Sequence, residues 1–234
     1  MLAALCFVNK KHYHMNFELV KNVIIVDADY VDSVAFNLIV NFERMIGRHI
    51  PQADMAQWAE CIAMDGGVNY LKEGEKPEGS THVVLVHDKK STEMNNFNPG
   101  VYEAASAAEQ GANAASVLNG QAFTGQLGEF VFSAVAADEK SETMTKHDII
   151  TDVLAAMADE PSVSRVMVVP NLDPGSDSIM ELLLPVLRHL DRECQDKRIT
   201  LFAMQPLTGV PCRTEILGYS LMAALGIRAD EIKG

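Results

Sequence analysis

The stretch that most constrains this chain is Asn22 to Tyr30, NVIIVDADY. Four apolar residues, Val23 to Val26, run without a polar break and stop at Asp27-Ala28-Asp29. A half-exposed strand alternates apolar and polar residues, whereas a strand covered on both faces does not. The run therefore predicts a central strand with helices on both sides of its sheet. From Val31 the spacing changes. Val31, Val34, Ala35, Leu38, Phe42, Met45 and Ile46 recur at helical intervals, and Gly47 suits the helix end. The two acids thus stand where a buried strand turns into its helix, the edge at which open α/β sheets bind ligands.

The same alternation of strand and helix continues along the chain. Thr81 to Val86 is a second continuous apolar run, and Arg165 to Val169 and Ile199 to Met204 read as further strands. Leu127 to Ala136 alternates instead, which predicts a strand with one less covered face, at the sheet edge. Helices are predicted after Pro51 (Met55, Trp58 and Ile62 on one face), over Ile149–Met157 behind a Thr145–Asp148 capping box, over Ser178–Cys194 around Pro185, and over Glu215–Leu225. Trp58 is expected in the core. Strands alternating with helices imply βαβ units. The fold class is therefore α/β, a three-layer sandwich with a mainly parallel, Rossmann-like sheet of about five strands and room for one antiparallel edge strand. Residues 15–234 are expected to form one such domain, with a poorly structured insertion near 91–126. Residues 1–14 precede a more natural start at Met15 and are expected to be a poorly ordered extension.

Composition narrows the function classes. The formal net charge of −13 opposes attraction to phosphate backbones and anionic lipid. It lowers the expectation of a nucleic-acid partner without removing it, because a metal or a local basic patch can reverse the sign at one place. Leu2 to Val8 is too short to span a bilayer and precedes Lys10 and Lys11, the wrong order for a signal peptide, so no membrane association is expected. Cys6, Cys61, Cys194 and Cys212 form no CxxC pair, and the seven histidines show no zinc spacing. Reduced thiols and a cytoplasmic location are expected.

Parallel strands place their strand-to-helix loops on one rim. That rim is expected to gather Asp27, Asp29 and Asp32, then His87 to Lys90, then Asn171, Asp173 and Asp177, and finally Thr208, Cys212, Arg213 and Thr214. Several carboxylates brought close together cannot all stay ionised without a cation. Such a cluster is suited to Mg²⁺ or Mn²⁺, which activates water and neutralises charge on a phosphodiester. Lys89, Thr208 and Arg213 are candidates for holding an anionic cofactor or substrate. No GxGxxG follows any strand, which disfavours NAD.

VIIVDADYVDSVAFNL resembles the opening of PIN-like and NYN ribonucleases, in which an apolar strand ends in a metal-binding Asp. VMVVPNLDPGSDSIMELLLPVLRHL followed by RITLFAM is similar to their later unit of strand, acidic turn, helix and strand. The resemblance covers roughly a third of the chain. It implies Asp27 as the primary metal ligand, Asp29 in support, Asp173 and Asp177 as the later acidic pair, and catalysis by Asp27, Asp173 and Asp177. Tyr30 stands where the NYN pattern has Asn, and Pro170-Asn171-Leu172 replaces its Ser-Gly. Asp27-Ala-Asp29 also fits the opening of haloacid-dehalogenase-like phosphatases, which need a Lys and a further acidic pair, and the DxD of glycosyltransferases, which lies deeper in the chain.

Each acid has a plain structural alternative. Asp27, Asp29 or Asp32 can cap the helix or close a turn, Asp173-Pro-Gly is ordinary turn chemistry, and Arg213 can pair with Glu215. Two functions follow. One is a binding or assembly protein on a Rossmann-like scaffold, without catalysis, pairing with a second copy through the Val31–Ile46 or Glu215–Leu225 helix. The other is a Mg²⁺- or Mn²⁺-dependent phosphodiesterase of PIN or NYN type.

Overall fold

The computed structural model describes residues 20–70, 79–103, 117–137, 144–173, 179–193 and 198–232. The central strand is present as β1 (Val20–Asp27), and every residue from Asn22 to Asp27 is buried. Its side chains explain the unbroken apolar run. Ile24 and Val26 belong to the core on one face of the sheet, while Val23 and Ile25 belong to the core on the other. Parallel partners flank it on both edges, β3 (Ser80–Asp88) with Asp27 opposite Val86, and β7 (Arg165–Val169) with Ile24 opposite Met167.

Among the described residues the sheet has seven strands, where about five were expected, in the order β5-β6-β3-β1-β7-β8-β9. β8 (Arg198–Ala203) and β9 (Arg213–Ile216) continue it in parallel on one side. On the other side β6 (Gly128–Ala137) is parallel to β3, and β5 (Ala122–Gly125) closes the sheet antiparallel to β6. The alternating segment Leu127 to Ala136 is therefore not the edge strand it was expected to be. Its mixed pattern comes from lying next to the edge, where Glu129 and Ala136 still reach solvent. The two unexpected strands are four residues each and half exposed, as edge strands commonly are. A separate pair of short strands, β2 (Ala53–Asp54) and β4 (Phe97–Asn98), lies outside the sheet.

Helices cover both faces. α1 (Ala28–Ile46), α2 (Met55–Asp65) and α5 (Leu217–Ala224) share one core with Trp58 fully buried against the edge of Phe97. α3 (Lys146–Asp159) and α4 (Ile179–Glu193) build the other core, through Ile150, Leu154, Leu183 and Leu187. Gly47 ends α1 with a left-handed φ of 76°, and its N–H bonds Glu43 O. Helix α5 starts at Leu217, because Glu215 and Ile216 of the expected helix belong to β9.

The insertion expected near 91–126 contributes β4 and β5 from its described parts. Within it Gly100 is required by close approach, since a Cβ there would lie 2.2 Å from Met94 O. Residues 104–116 of that insertion lie outside the described residues, as do residues 1–14 and Asp177. Among the described residues no helix is long and apolar enough to cross a membrane.

Candidate functional site

The chain runs from β1 to β3 and β6 on one side before returning to β7 on the other, so the end of β1 is a topological switch point. Helix α1 begins immediately there, three residues earlier than its apolar spacing suggests. Asp27 is its N-cap, and a side-chain oxygen accepts from Tyr30 N at 3.2 Å. This places Asp29, Tyr30 and Asp32 in the first turns of the helix, facing the loops that follow β3 and β7.

Those side chains bind the loops together. Asp29 accepts from Asp88 N at 2.7 Å and from the Ser91 hydroxyl. Asp32 accepts from Asn96 N at 2.8 Å. The Tyr30 hydroxyl donates to Asp173 Oδ1 at 2.9 Å. One helix start therefore anchors chain segments 59 to 143 residues away.

A lysine completes the arrangement. Lys146 opens α3, where Thr145 and Asp148 form the expected capping box. Its Nζ lies 3.2 Å from Asp27 Oδ1, 3.0 Å from Asp29 Oδ2 and 3.4 Å from Asp88 Oδ2. The Lys146 side chain is 16% exposed and Asp27 only 2%. Burial raises the Asp27 carboxyl above its ordinary range, and the Lys146 charge only partly offsets it. For Asp29 burial is again the largest influence, yet Ser91, the Asp88 amide and Lys146 together hold it below that range. Burial alone would lower the Lys146 ammonium, but Asp27, Asp29 and Asp88 raise it, so it is fully charged at neutral pH.

Tyr102 stands against the same acids. Its ring stacks on His87 with centroids 3.9 Å apart, and His87 Nδ1 donates to Asp88 O at 2.9 Å. The Tyr102 hydroxyl is buried with no hydrogen-bond partner among the described residues. Burial, followed by the charges of Asp29, Asp32, Asp27 and Asp88, pushes its ionisation far up, so it is a neutral hydroxyl.

The sequence-predicted residues divide accordingly. Asp27 and Asp29 meet at Lys146, and Asp173 joins the network through Tyr30. Asp177 lies outside the described residues. Lys89 and Thr208 are exposed in loops. Arg213 is level in the sheet with Ile24, not with Asp27, and its guanidinium bonds Glu215 Oε1 at 2.6 and 2.8 Å. Cys212 is half-buried beside the α3–α4 core. Sequence reasoning missed Lys146, Ser91 and Tyr102. A signal for Lys146 existed, because a helix that follows a parallel strand must begin on the same rim as the acids.

The resemblance to PIN-like and NYN ribonucleases implies Mg²⁺ or Mn²⁺ at this rim, and the described residues do not fit it. The oxygens are of the right kind, but they stand around an ammonium at hydrogen-bond distance, longer than the roughly 2.0–2.1 Å of Mg²⁺ ligands. Among the described residues no three His, Cys, Asp or Glu side chains group so as to hold a metal ion.

Fold and site together define an α/β protein whose mostly parallel sheet carries an acidic rim bridged by one lysine at its switch point. The chain belongs to DUF6621, a family of unknown function whose pattern matches residues 16–232. No curated protein and no solved structure matches it.

Proposed function

We propose that this protein is a binding and assembly protein on a Rossmann-like scaffold, with no catalysis of its own. The observation that carries this reading is the use to which the α1 acids are put. Asp27 caps its own helix, Asp29 and Asp32 seat the loop after β3, and Tyr30 seats the loop after β7 through Asp173. Acids engaged in this way tie two loops to one helix start, so their oxygens are taken up by the scaffold's own donors.

The assembly part rests on α1. No residue of this helix beyond Ala35 is fully buried, and Phe36 and Met45 are each more than half exposed. Tyr219 on α5 is also more than half exposed. Apolar side chains left at a surface in this way support pairing with a second copy. Two measurements test the reading. Sedimentation at micromolar concentration should show a dimer or larger species that dissociates in Phe36→Glu/Met45→Glu, and a strict monomer would remove the assembly part. Hydrolysis of a phosphodiester or phosphomonoester in Mg²⁺ or Mn²⁺ should be absent, and turnover lost in Asp27→Asn would overturn the reading as a whole.

One observation favours a second reading, a rim that binds and cleaves a phosphodiester. Among the described residues the Tyr102 hydroxyl, beside four aspartates, has no hydrogen-bond partner, and a bound ligand can supply one. The same hydrolysis assay separates the two.

A further inference from the structure

We infer that Lys146 is the resident cation of this rim, standing in the place where PIN-like and NYN ribonucleases are expected to carry a divalent metal. The native protein therefore keeps its acidic cluster without metal. This goes beyond the binding reading, which does not depend on how the cluster is neutralised.

The argument begins with where the ammonium comes from. Lys146 is the first residue of α3, and the Thr145–Asp148 box fixes that helix start at both ends of the cap. Its stem is mostly buried, so the charge is delivered by the backbone of a defined helix rather than by a freely moving surface side chain. The three carboxylates it meets come from the end of β1, the first turn of α1 and the end of β3. Each of these elements is fixed independently by the sheet or by the α1 cap. A +1 charge is thus built into the point on which the acids converge.

A divalent ion would have to displace that charge or share the space with it. Sharing places +2 beside +1 in a half-buried site, where repulsion is weakly screened. Displacement removes an ammonium from three carboxylates and moves its stem from a packed position. Asp29 is held in place by Asp88 N and Ser91, which keep its carboxylate facing the point the ammonium already fills. Asp173, which the resemblance makes a later metal ligand, is bonded instead to Tyr30.

The test uses the full chain and Mn²⁺ as probe, read by the loss of its free electron-paramagnetic-resonance signal and by melting in EDTA and in Mn²⁺. The wild type should leave the Mn²⁺ signal and its own Tm unchanged. Lys146→Met removes the resident charge and should bind Mn²⁺ at least about tenfold more tightly than wild type, with a Tm that Mn²⁺ raises. Lys146→Met/Asp29→Asn should lose that gain. Where Lys146→Met does not fold in EDTA, folding on addition of Mn²⁺ supports the inference and failure to fold in Mn²⁺ overturns it. A stoichiometric Mn²⁺ site in the wild type, or a folded Lys146→Met with no gain in affinity, also overturns it. Mn²⁺ binding by the wild type without hydrolysis would sink this inference alone and leave the binding reading standing. Metal-independent hydrolysis would do the reverse.

Discussion

Lys146→Met tests the energetics of the rim most directly. Methionine keeps most of the apolar stem and deletes only the charge. Breaking a buried ionic network by removing one partner costs about 3–5 kcal/mol, because the remaining charges stay desolvated and unpaired. Here Asp29 and Asp88 keep 24% and 28% of their side-chain surface, so water relieves part of that loss. The expected destabilisation at pH 7.5 is therefore about 2–4 kcal/mol. For a chain of this size each 1 kcal/mol moves Tm by about 2–4 °C, so a shift of roughly 5–15 °C is expected. The pH dependence is more specific than the size. In the wild type Asp29 is held below the usual carboxylate range, so its contribution is complete above that range and is lost as pH falls through the folded value. The Lys146 ammonium is raised, so its contribution persists throughout neutral pH and is lost only on strong alkalisation. Without Lys146 the carboxyls of Asp27 and Asp29 move up and accept protons earlier. The gap between variant and wild type should therefore narrow as pH falls from 7.5 toward 4.5. Urea denaturation at the two pH values, at unchanged m, measures this. A loss below about 0.5 kcal/mol, or a gap independent of pH, would refute the reasoning.

Two further expectations concern the scaffold. His82 is buried in β3 against Ser133 Oγ at 2.8 Å, and burial pulls its ionisation down from 6.5 to about 4. Its contribution is complete above pH 6.5 and is lost as pH falls to 4, a penalty of about 3 kcal/mol; His82→Gln should flatten that part of the stability–pH curve, and an unchanged slope would contradict the assignment. Gly100→Ala places a Cβ 2.2 Å from Met94 O and 2.7 Å from Phe97 O. It should lower stability by about 1–3 kcal/mol in chemical denaturation, and a neutral result would show that this turn relaxes freely.

The parts of the fold that the sequence displays are those where burial acts on consecutive residues. β1, β3 and β7 each carry an unbroken apolar run of four residues, and β8 is interrupted only by Thr200, because helices cover both faces; the Thr145–Asp148 box and Gly47 mark helix ends by local chemistry. β5 and β9 escaped notice because AFTG and RTEI are too short and too polar for a period to register. The position of β6 inside the sheet is set by its pairing with β5, which no residue of β6 announces. At the site, the acids were visible and their partners were not. Lys146 looks like any lysine at a solvated helix start, and the Tyr30–Asp173 bond joins residues 143 apart with no local trace. Whether an aspartate caps, latches or binds depends on what stands opposite it, which is a property of topology.

The place of β1 in the middle of the sheet has a consequence for synthesis. It is the first of the sheet strands to leave the ribosome, yet its neighbour β7 starts only at Arg165. Any nascent, truncated or proteolysed chain that stops short of Arg165 carries the central buried strand of the sheet with one backbone edge bare. Such fragments should be captured by chaperones or aggregate, and deletion series from the C-terminus should turn insoluble abruptly once β7 is removed.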